Sequence, residues 1–254
     1  MTLRTTLERV SHRLVIQRRL PSPFDKARIY ASTEGGLRYL RPRLDNVDPV
    51  LLRLVTETVR AGDIVWDIGA NIGLFSFAAA VAAGPKGRVL AVEPDAVLVA
   101  LLRRSAAANR RHAPVDVLPV AVADDLGVGQ FHIARRNRST SYLDGFGTSQ
   151  TGGVRTTELV PTVSLDWLAE RFPSPDILKI DVEVAEVNVL AGGTEVLRRR
   201  PRILCEVADK NAETVRDLLA THSYTLYDGE ELATQRMPLQ VAPNNTFAIN
   251  ESGH

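Results

Sequence analysis

Residues 63–77 constrain the fold of this chain more than any other stretch. The run 64–68 is rich in β-branched and aromatic residues and is typical of a buried strand. Gly69 and Gly73 follow it, and the apolar segment 74–83 then predicts a helix. Glycine lets a ligand approach the backbone closely, and the first turn of a helix offers unpaired N–H groups. A strand, a glycine turn and a helix in this order predict a binding corner for a nucleotide-like ligand.

The acid in this corner indicates what kind of ligand it suits. The pattern is Asp67-x-Gly69-x-Asn71-x-Gly73, which differs from the dinucleotide pattern G-x-G-x-x-G. A carboxylate two residues before the first glycine would repel a pyrophosphate but would attract a cation. S-adenosylmethionine (SAM) carries an ammonium and a sulfonium, so Asp67 is expected to bind the ammonium. The alternative is an ordinary strand, turn and helix in which the acid caps the helix.

Three sequence motifs together point to a family. They are DIGANIG at 67–73, AVEPD at 91–95 and LKIDVEVAE at 178–186. In this order and approximate spacing they resemble the FkbM-type family of class I SAM-dependent methyltransferases, and the resemblance covers about residues 48–250. It implies a Rossmann-like α/β fold with a mostly parallel seven-stranded sheet, helices on both faces and a final antiparallel strand. It also implies O-methylation of a hydroxyl on a sugar or polyketide-type small molecule.

The hydrophobic pattern independently predicts an α/β fold. Buried strands near 88–93, 115–120, 176–181 and 202–207 alternate with helical segments, one of which, 186–200, is predicted to break at Gly192 and Gly193. Ligands of such parallel sheets bind beyond the carboxyl ends of the strands. We therefore expect the site at that edge.

One acid at that edge predicts nucleoside binding. Glu93 closes the second strand, 20 residues after Gly73, where a carboxylate can accept both ribose hydroxyls. Folds that bind nicotinamide cofactors use the same device, but Asp67 and the missing G-x-G-x-x-G disfavour an oxidoreductase. Ala121 and Val122 are expected to line the adenine. The predicted cofactor-binding residues are Asp67, Gly69, Ala70, Asn71, Gly73, Glu93, Ala121 and Val122.

Three further acids are the predicted catalytic residues. Asp181 and Glu183 follow the fourth core strand, and Glu206 ends the fifth, so their carboxylates should meet at the cofactor crevice. One of them can orient a hydroxyl acceptor or take its proton. Asp181 and Glu206 could instead hold Mg²⁺, which would acidify the hydroxyl. In a purely structural role they would cap the next helix or pair with Lys179.

One position departs from the pattern that the resemblance implies. The family usually reads Lys-Ile-Asp-Val-Glu-Gly-Ala-Glu, and here Val184 replaces the glycine. Valine resists positive φ and adds bulk beside the crevice. Either the backbone is ordinary there, or the pocket is narrowed. The alternative function, a non-catalytic SAM-binding regulatory or assembly subunit, gains from this substitution but is opposed by the intact acids.

Two segments are expected outside the core of the methyltransferase domain. Residues 1–47 are interpreted as an N-terminal basic helix and a connecting segment, and residues 48–254 as the domain itself. The helix is predicted to pack on the domain or on a second subunit of a homodimer, or to contact an anionic membrane surface or a phosphorylated substrate. Residues 135–156, rich in Arg, Ser, Thr and Gly, predict a substrate-covering loop. The leucine and valine stripe of the helix runs through Leu3, Leu7, Val10, Leu14 and Leu20.

Composition excludes several other classes of function. The 254 residues carry a formal net charge of only +1, without a basic run interleaved with aromatics, so nucleic acid is not an expected partner. An apolar run near the roughly 20 residues of a membrane span is missing. Cys205 is the single cysteine, so an internal disulfide is impossible. These features predict a cytoplasmic protein, and the resemblance implies that its partner is a small-molecule hydroxyl acceptor.

Overall fold

The computed structural model describes residues 15–135, 138–146 and 152–250. Its main sheet has seven strands in the order β12-β13-β11-β10-β3-β4-β5. Strands β11, β10, β3, β4 and β5 are parallel, whereas β13 runs antiparallel between β11 and β12. The predicted mostly parallel seven-stranded sheet is confirmed. Its strands are β3 (Ile64–Ile68), β4 (Arg88–Val92), β5 (Val115–Leu118), β10 (Ile177–Ile180), β11 (Arg202–Glu206), β12 (Thr225–Asp228) and β13 (Asn245–Ile249).

Alternating side chains of the central strands build one hydrophobic core on each face of the sheet. Val65 and Ile177 face the core that contains Phe75 and Phe77 of the helix after β3. Trp66 and its neighbours on adjacent strands face the second core, which later helices complete. Both faces are therefore covered by helices, as expected for a parallel sheet.

The helices begin and end where local chemistry predicts. Asp48 caps the first helix by accepting from the Leu51 N–H at 2.9 Å, and Pro49 occupies its first turn. The predicted break at Gly192 and Gly193 is confirmed, since one helix ends at Ala191 and the next begins at Thr194. Gly192 also packs closely, because a Cβ there would lie 2.5 Å from the Ala123 carbonyl oxygen. The helices are α1 (Pro49–Thr58), α2 (Leu74–Ala83), α3 (Ala96–Ala108), α4 (Leu165–Ala169), α5 (Glu186–Ala191), α6 (Thr194–Arg198) and α7 (Ala212–Thr221).

The N-terminal segment differs from the predicted helix. Residues 1–14, with most of the leucine stripe, lie outside the described residues, but the prediction of a helix reaching Leu20 is wrong. β1 (Ile16–Arg19) pairs antiparallel with β2 (Arg28–Ala31). The Asn109 side chain holds this hairpin through the backbone N–H and carbonyl of Arg28, at 2.9 and 2.6 Å. Leu20 is buried in the core shared with α2 and α3, so this segment is part of the same folded unit.

A second, four-stranded sheet lies beside the main one. Its order is β6-β9-β7-β8, and β6 runs parallel to β9. The prediction that residues 135–156 form a loop is wrong at 142–143, which pair with β7, and at 154–156, which already belong to β9. The strands are β6 (Ala121–Val122), β7 (Gly127–Ala134), β8 (Tyr142–Leu143) and β9 (Val154–Val163).

Over these same ranges, every helix is too short or too polar to cross a membrane.

Candidate functional site

A cavity of about 310 Å³ opens at the carboxyl edge of the main sheet. This volume is within the usual range of small-molecule sites, about 300–1,000 Å³. We call its strand-end residues the inner wall: Gly69, Asn71, Glu93, Asp181, Glu183 and Glu206. We call the residues that close it from the N-terminal segment and the second sheet the outer wall: Arg38, Asp48, Phe131, Arg138 and residues 140–143.

The glycine turn brings the cofactor corner against the neighbouring strand. Gly69 has a positive φ of 78°, and a Cβ at this position would lie only 1.9 Å from the Asp181 carbonyl oxygen. The N–H groups of Gly69 and Ala70 both donate to the Val92 carbonyl at 3.0 Å. Ala70 and Gly73 do not line the cavity. A Cβ at Gly73 would lie 2.6 Å from the Phe77 ring, so this glycine is needed for the packing of α2.

Asn71 offers a polar atom that the described protein does not satisfy. Its φ is 52°, in the left-handed region that asparagine tolerates better than most residues. Its backbone N–H donates to Glu93 Oε2 at 2.8 Å. Its side-chain Oδ1 is buried and has no hydrogen-bond partner among the described residues. Asn71 lines the cavity, and a ligand donor that reached Oδ1 would satisfy this atom.

Glu93 is held at the end of β4 with its carboxylate in the cavity wall. Its two oxygens accept from the Asn71 N–H at 2.8 Å and from the Asp95 N–H at 3.0 Å. Burial raises the pKa of Glu93 to about 7, although these two N–H groups oppose the shift. Each carboxylate oxygen retains a further lone pair, so the group can still accept from two vicinal hydroxyls. Ala121 and Val122 line the same cavity, as expected for an adenine neighbour.

Asp67 is not brought to the cavity. It is fully buried, and its carboxylate pairs with Lys179 Nζ at 2.9 Å and accepts from Ser76 Oγ. Lys179 Nζ also donates to the Gly69 carbonyl at 2.9 Å and lies 3.2 Å from Asp181 Oδ2. Burial alone would lower the pKa of Lys179, but Asp181 and Asp67 raise it above its ordinary value. In this arrangement Asp67 anchors Lys179, which joins the glycine turn to Asp181.

The structure brings Asp181, Glu183 and Glu206 together. β10 and β11 pair in register, Ile180 with Cys205, so the next residues, Asp181 and Glu206, end the strands side by side. The charge of Asp181, followed by burial, raises the pKa of Glu206 to about 8, and the two carboxyl groups share a hydrogen bond. Burial, then Asp181 and Glu186, raise the pKa of Glu183 to about 7. The contact with Asp181 therefore favours the protonated form of Glu206.

The predicted Mg²⁺ site has no support in residues 15–135, 138–146 and 152–250. There, no group of three or more His, Cys, Asp or Glu residues is arranged to hold a metal ion. Glu206 would also have to lose its proton before it could join Asp181 as a ligand.

Val184 adopts the conformation that usually needs glycine. Its φ is 64°, so the backbone there is not ordinary. The cavity is lined by its neighbours Glu183 and Ala185. The Asn211 side chain holds this turn by donating to the Val184 carbonyl at 2.9 Å and to Glu186 Oε1 at 3.0 Å. Glu186 is fully buried and has a structural role.

The outer wall contains the residues that sequence reasoning missed. Arg138 pairs with Glu34 and, at 2.6 Å, with Asp95, the residue that caps α3. Arg155 also reaches Glu34, at 3.1 Å. Arg38 and Asp48 enter the cavity from the N-terminal segment. The ion-pair partners of Arg138 and Arg155 are far away in the chain, so no local pattern marks these two arginines.

Fold and site together define a class I SAM-dependent methyltransferase fold. The sheet order has the antiparallel hairpin at one edge, and the cavity lies beyond the parallel strands. Residues 67–226 match the family described as "Methyltransferase FkbM domain". The chain belongs to this family.

Two curated relatives and one solved structure illustrate the likeness. The chain is 29% identical over 159 residues to the hexuronic acid methyltransferase AglP of Haloferax volcanii, covering 62% of this chain and 61% of that protein. It is 34% identical over 197 residues to the 31-O-demethyl-FK506 methyltransferase FkbM of Streptomyces tacrolimicus, covering 66% and 75%. A precorrin-6y C5,15-methyltransferase from Geobacter metallireducens superposes with a TM-score of 0.43 at 15% identity, covering 83% and 89%. The first match thus spans less than two thirds of that relative's length.

Proposed function

We propose that this protein is a SAM-dependent O-methyltransferase that methylates a hydroxyl of a sugar or polyketide-type small molecule. The observation that carries this proposal is that Glu93 and the Asp181–Glu206 pair line one and the same cavity. A nucleoside-binding acid and an acid pair at one cavity suit transfer from a nucleoside cofactor to a hydroxyl. The printed substrates of the two relatives, a hexuronic acid and a demethylated FK506, support this class.

The inner wall fits SAM. In this proposal Glu93 accepts from the ribose hydroxyls, Asn71 Oδ1 accepts from the ligand, and Ala121 and Val122 contact the adenine. The position of these four residues in the cavity wall supports the assignment. The acids of the cavity suit a positively charged sulfonium. When bound, SAM supplies an electrophilic methyl group.

The acid pair suggests how the acceptor is activated. A free hydroxyl is a poor nucleophile, so its proton must leave as the O–C bond forms. Because Asp181 raises the pKa of Glu206, Glu206 is the proposed protonated member of the pair and donates a hydrogen bond to Asp181. Asp181, held by Lys179 at 3.2 Å, is therefore the proposed proton acceptor. Glu183 lines the same edge and is proposed to orient the acceptor. The Mg²⁺ alternative would place Asp181 and Glu206 on the metal.

The test combines cofactor binding with one substitution. We expect the protein to bind S-adenosylhomocysteine in calorimetric titration and not to respond to NADH. Asp181→Asn keeps the shape of the side chain and removes its charge. It should lower turnover on a sugar hydroxyl acceptor by about 10²–10⁴-fold while leaving S-adenosylhomocysteine affinity unchanged.

The alternatives give different results. Activity lost with EDTA and restored by Mg²⁺ would assign Asp181 and Glu206 as ligands. Cofactor binding without methyl transfer to any sugar or polyketide hydroxyl tested would favour the non-catalytic alternative. Wild-type turnover in Asp181→Asn would return these acids to a structural role.

A further inference from the structure

Arg38 is a cation of the outer wall to which the proposed chemistry gives no role. It belongs to a short 3-10 helix, Leu37–Leu40, is exposed, and lines the same cavity as Asp181 and Glu206. It also lies outside the family match at 67–226. The motifs of the methyltransferase domain therefore do not account for it.

The Arg38 guanidinium is oriented but not neutralised. It donates to the Tyr39 hydroxyl at 3.2 Å and lies 5.0 Å from the centre of the Tyr39 ring. Tyr39 is only 3% exposed, so it gives Arg38 a fixed support. Within the described ranges, no carboxylate lies at ion-pair distance from Arg38, whereas Arg138 is fully engaged by Glu34 and Asp95. Several N–H donors of Arg38 therefore remain available to an anion.

One charged group of the proposed cofactor lacks a partner. SAM consists of an adenine, a ribose and an amino-acid end, which bears an ammonium and a carboxylate. Ala121, Val122 and Glu93 serve the first two parts. Asp48 and Asp181 line the cavity close enough to Arg38 to interact with it electrostatically. This part of the cavity thus presents both signs of charge, which complements a group that itself carries both.

We propose that Arg38 binds the carboxylate of the amino-acid end of SAM, with its ammonium toward Asp48. A guanidinium suits this role because its planar set of donors matches a carboxylate in two parallel hydrogen bonds. The inference rests on the proposed function and extends it, since the N-terminal segment becomes part of the cofactor site. A protein reduced to the family-matched residues would lack this contact.

The test uses two ligands that differ only at the amino-acid end. S-adenosylhomocysteine has the carboxylate and ammonium, whereas 5′-methylthioadenosine keeps the adenine, ribose and thioether but lacks both. In calorimetric titration of the full chain, Arg38→Met should weaken S-adenosylhomocysteine binding by about 10–100-fold. It should change 5′-methylthioadenosine binding by less than about twofold. Arg38→Lys should give an intermediate loss, because it keeps the charge but not the planar donors.

A neighbouring arginine provides the control. Arg41 ends the same 3-10 turn, is exposed and does not line the cavity, so Arg41→Met should leave both affinities unchanged. An equal loss of both ligands in Arg38→Met would overturn the proposal in favour of a structural role. Unchanged S-adenosylhomocysteine binding with a raised KM for a hexuronic acid acceptor would assign the guanidinium to an acceptor carboxylate and also overturn it. If the wild-type protein binds neither ligand, the proposed function itself fails.

Discussion

The two walls of the cavity are built by different means. In the inner wall, the Asn71 N–H donates to the Glu93 carboxylate, which is only 22 positions away. In the outer wall, Arg138 pairs with Glu34 and Asp95, which are 104 and 43 positions away. The Asn71–Glu93 part of the inner wall therefore follows from two short motifs, whereas the outer wall forms only after distant segments have packed.

A substitution at Gly69 tests the rigidity of the inner wall. In Gly69→Ala the new Cβ would overlap the Asp181 carbonyl oxygen, which lies 1.9 Å away, and the positive φ would be strained. We expect the free energy of unfolding to fall by about 2–5 kcal/mol in urea denaturation. Gly62→Ala is the matched control, because φ there is +93° but no atom lies within 4 Å. It should cost only the conformational part, about 1–2 kcal/mol. Equal losses at both positions would contradict a close contact between the turn and β10.

A substitution at Arg138 tests the outer wall. The side chains of Arg138, Glu34 and Asp95 are 11%, 8% and 0% exposed, so Arg138→Met removes a cation from beside two buried carboxylates. We expect a loss of about 3 kcal/mol in unfolding free energy. Arg155 also faces Glu34 but its side chain is 42% exposed, so Arg155→Met should cost less than about 1 kcal/mol. Similar small losses in both variants would show that the outer wall does not depend on these ion pairs.

The pKa of Glu93 predicts how cofactor affinity depends on pH. The ribose hydroxyls donate to the ionised carboxylate, and burial places its pKa at about 7. Affinity for S-adenosylhomocysteine should therefore rise through pH 7 and be about tenfold weaker at pH 6 than on the plateau. Glu93→Gln should remove this step, whereas Glu183→Gln, also titrating near 7, should keep it. Calorimetry across pH measures it, and a flat wild-type profile would speak against Glu93 as the ribose ligand.

The same group affects the protein without cofactor. Its pKa is raised from 4.5 to about 7, so between these values the folded form keeps a proton that the unfolded form has lost. Stability contributed by protonated Glu93 is thus present below pH 4.5 and lost as pH rises through about 7. Thermal unfolding of Glu93→Gln should show less of this decline.

The smallest predicted effect concerns Val184. Because its φ is 64°, glycine should be tolerated better than alanine there. We expect Val184→Gly to be more stable than Val184→Ala by about 1 kcal/mol in urea denaturation. At Val189, buried within α5, the order should reverse, because glycine weakens a helix by about 1 kcal/mol. Alanine more stable at both positions would show that the turn relaxes to an ordinary backbone.

The comparison of walls also explains which predictions the sequence supports. The placement of Glu93, Asp181 and Glu206 follows from the regular ends of parallel strands. The same reasoning does not hold for Asp67, because this residue lies inside β3 rather than after its end. It pairs in register with Lys179, and the alternation of side chains along the strand turns it toward Ser76 of α2. Arg138 depends on Glu34 and Asp95, which are distant in the chain, and Arg38 reaches the cavity only after the N-terminal segment has packed.

The N-terminal prediction fails for a related reason. Residues 16–19 lie within the predicted helix, between Leu14 and Leu20 of the apolar stripe, yet pairing with β2 makes them a strand. Tertiary pairing overrides such a short local signal.

The ion pairs of Arg138 limit how this site can be recombined with others. One guanidinium ties the second sheet to the N-terminal segment through Glu34 and to the start of α3 through Asp95. A chimera that takes the segment around position 138 from a relative without an arginine there would remove the guanidinium from both Glu34 and Asp95. Exchange of acceptor specificity between such proteins is therefore expected to require replacing the segment that carries Arg138 and the N-terminal segment that carries Glu34 together.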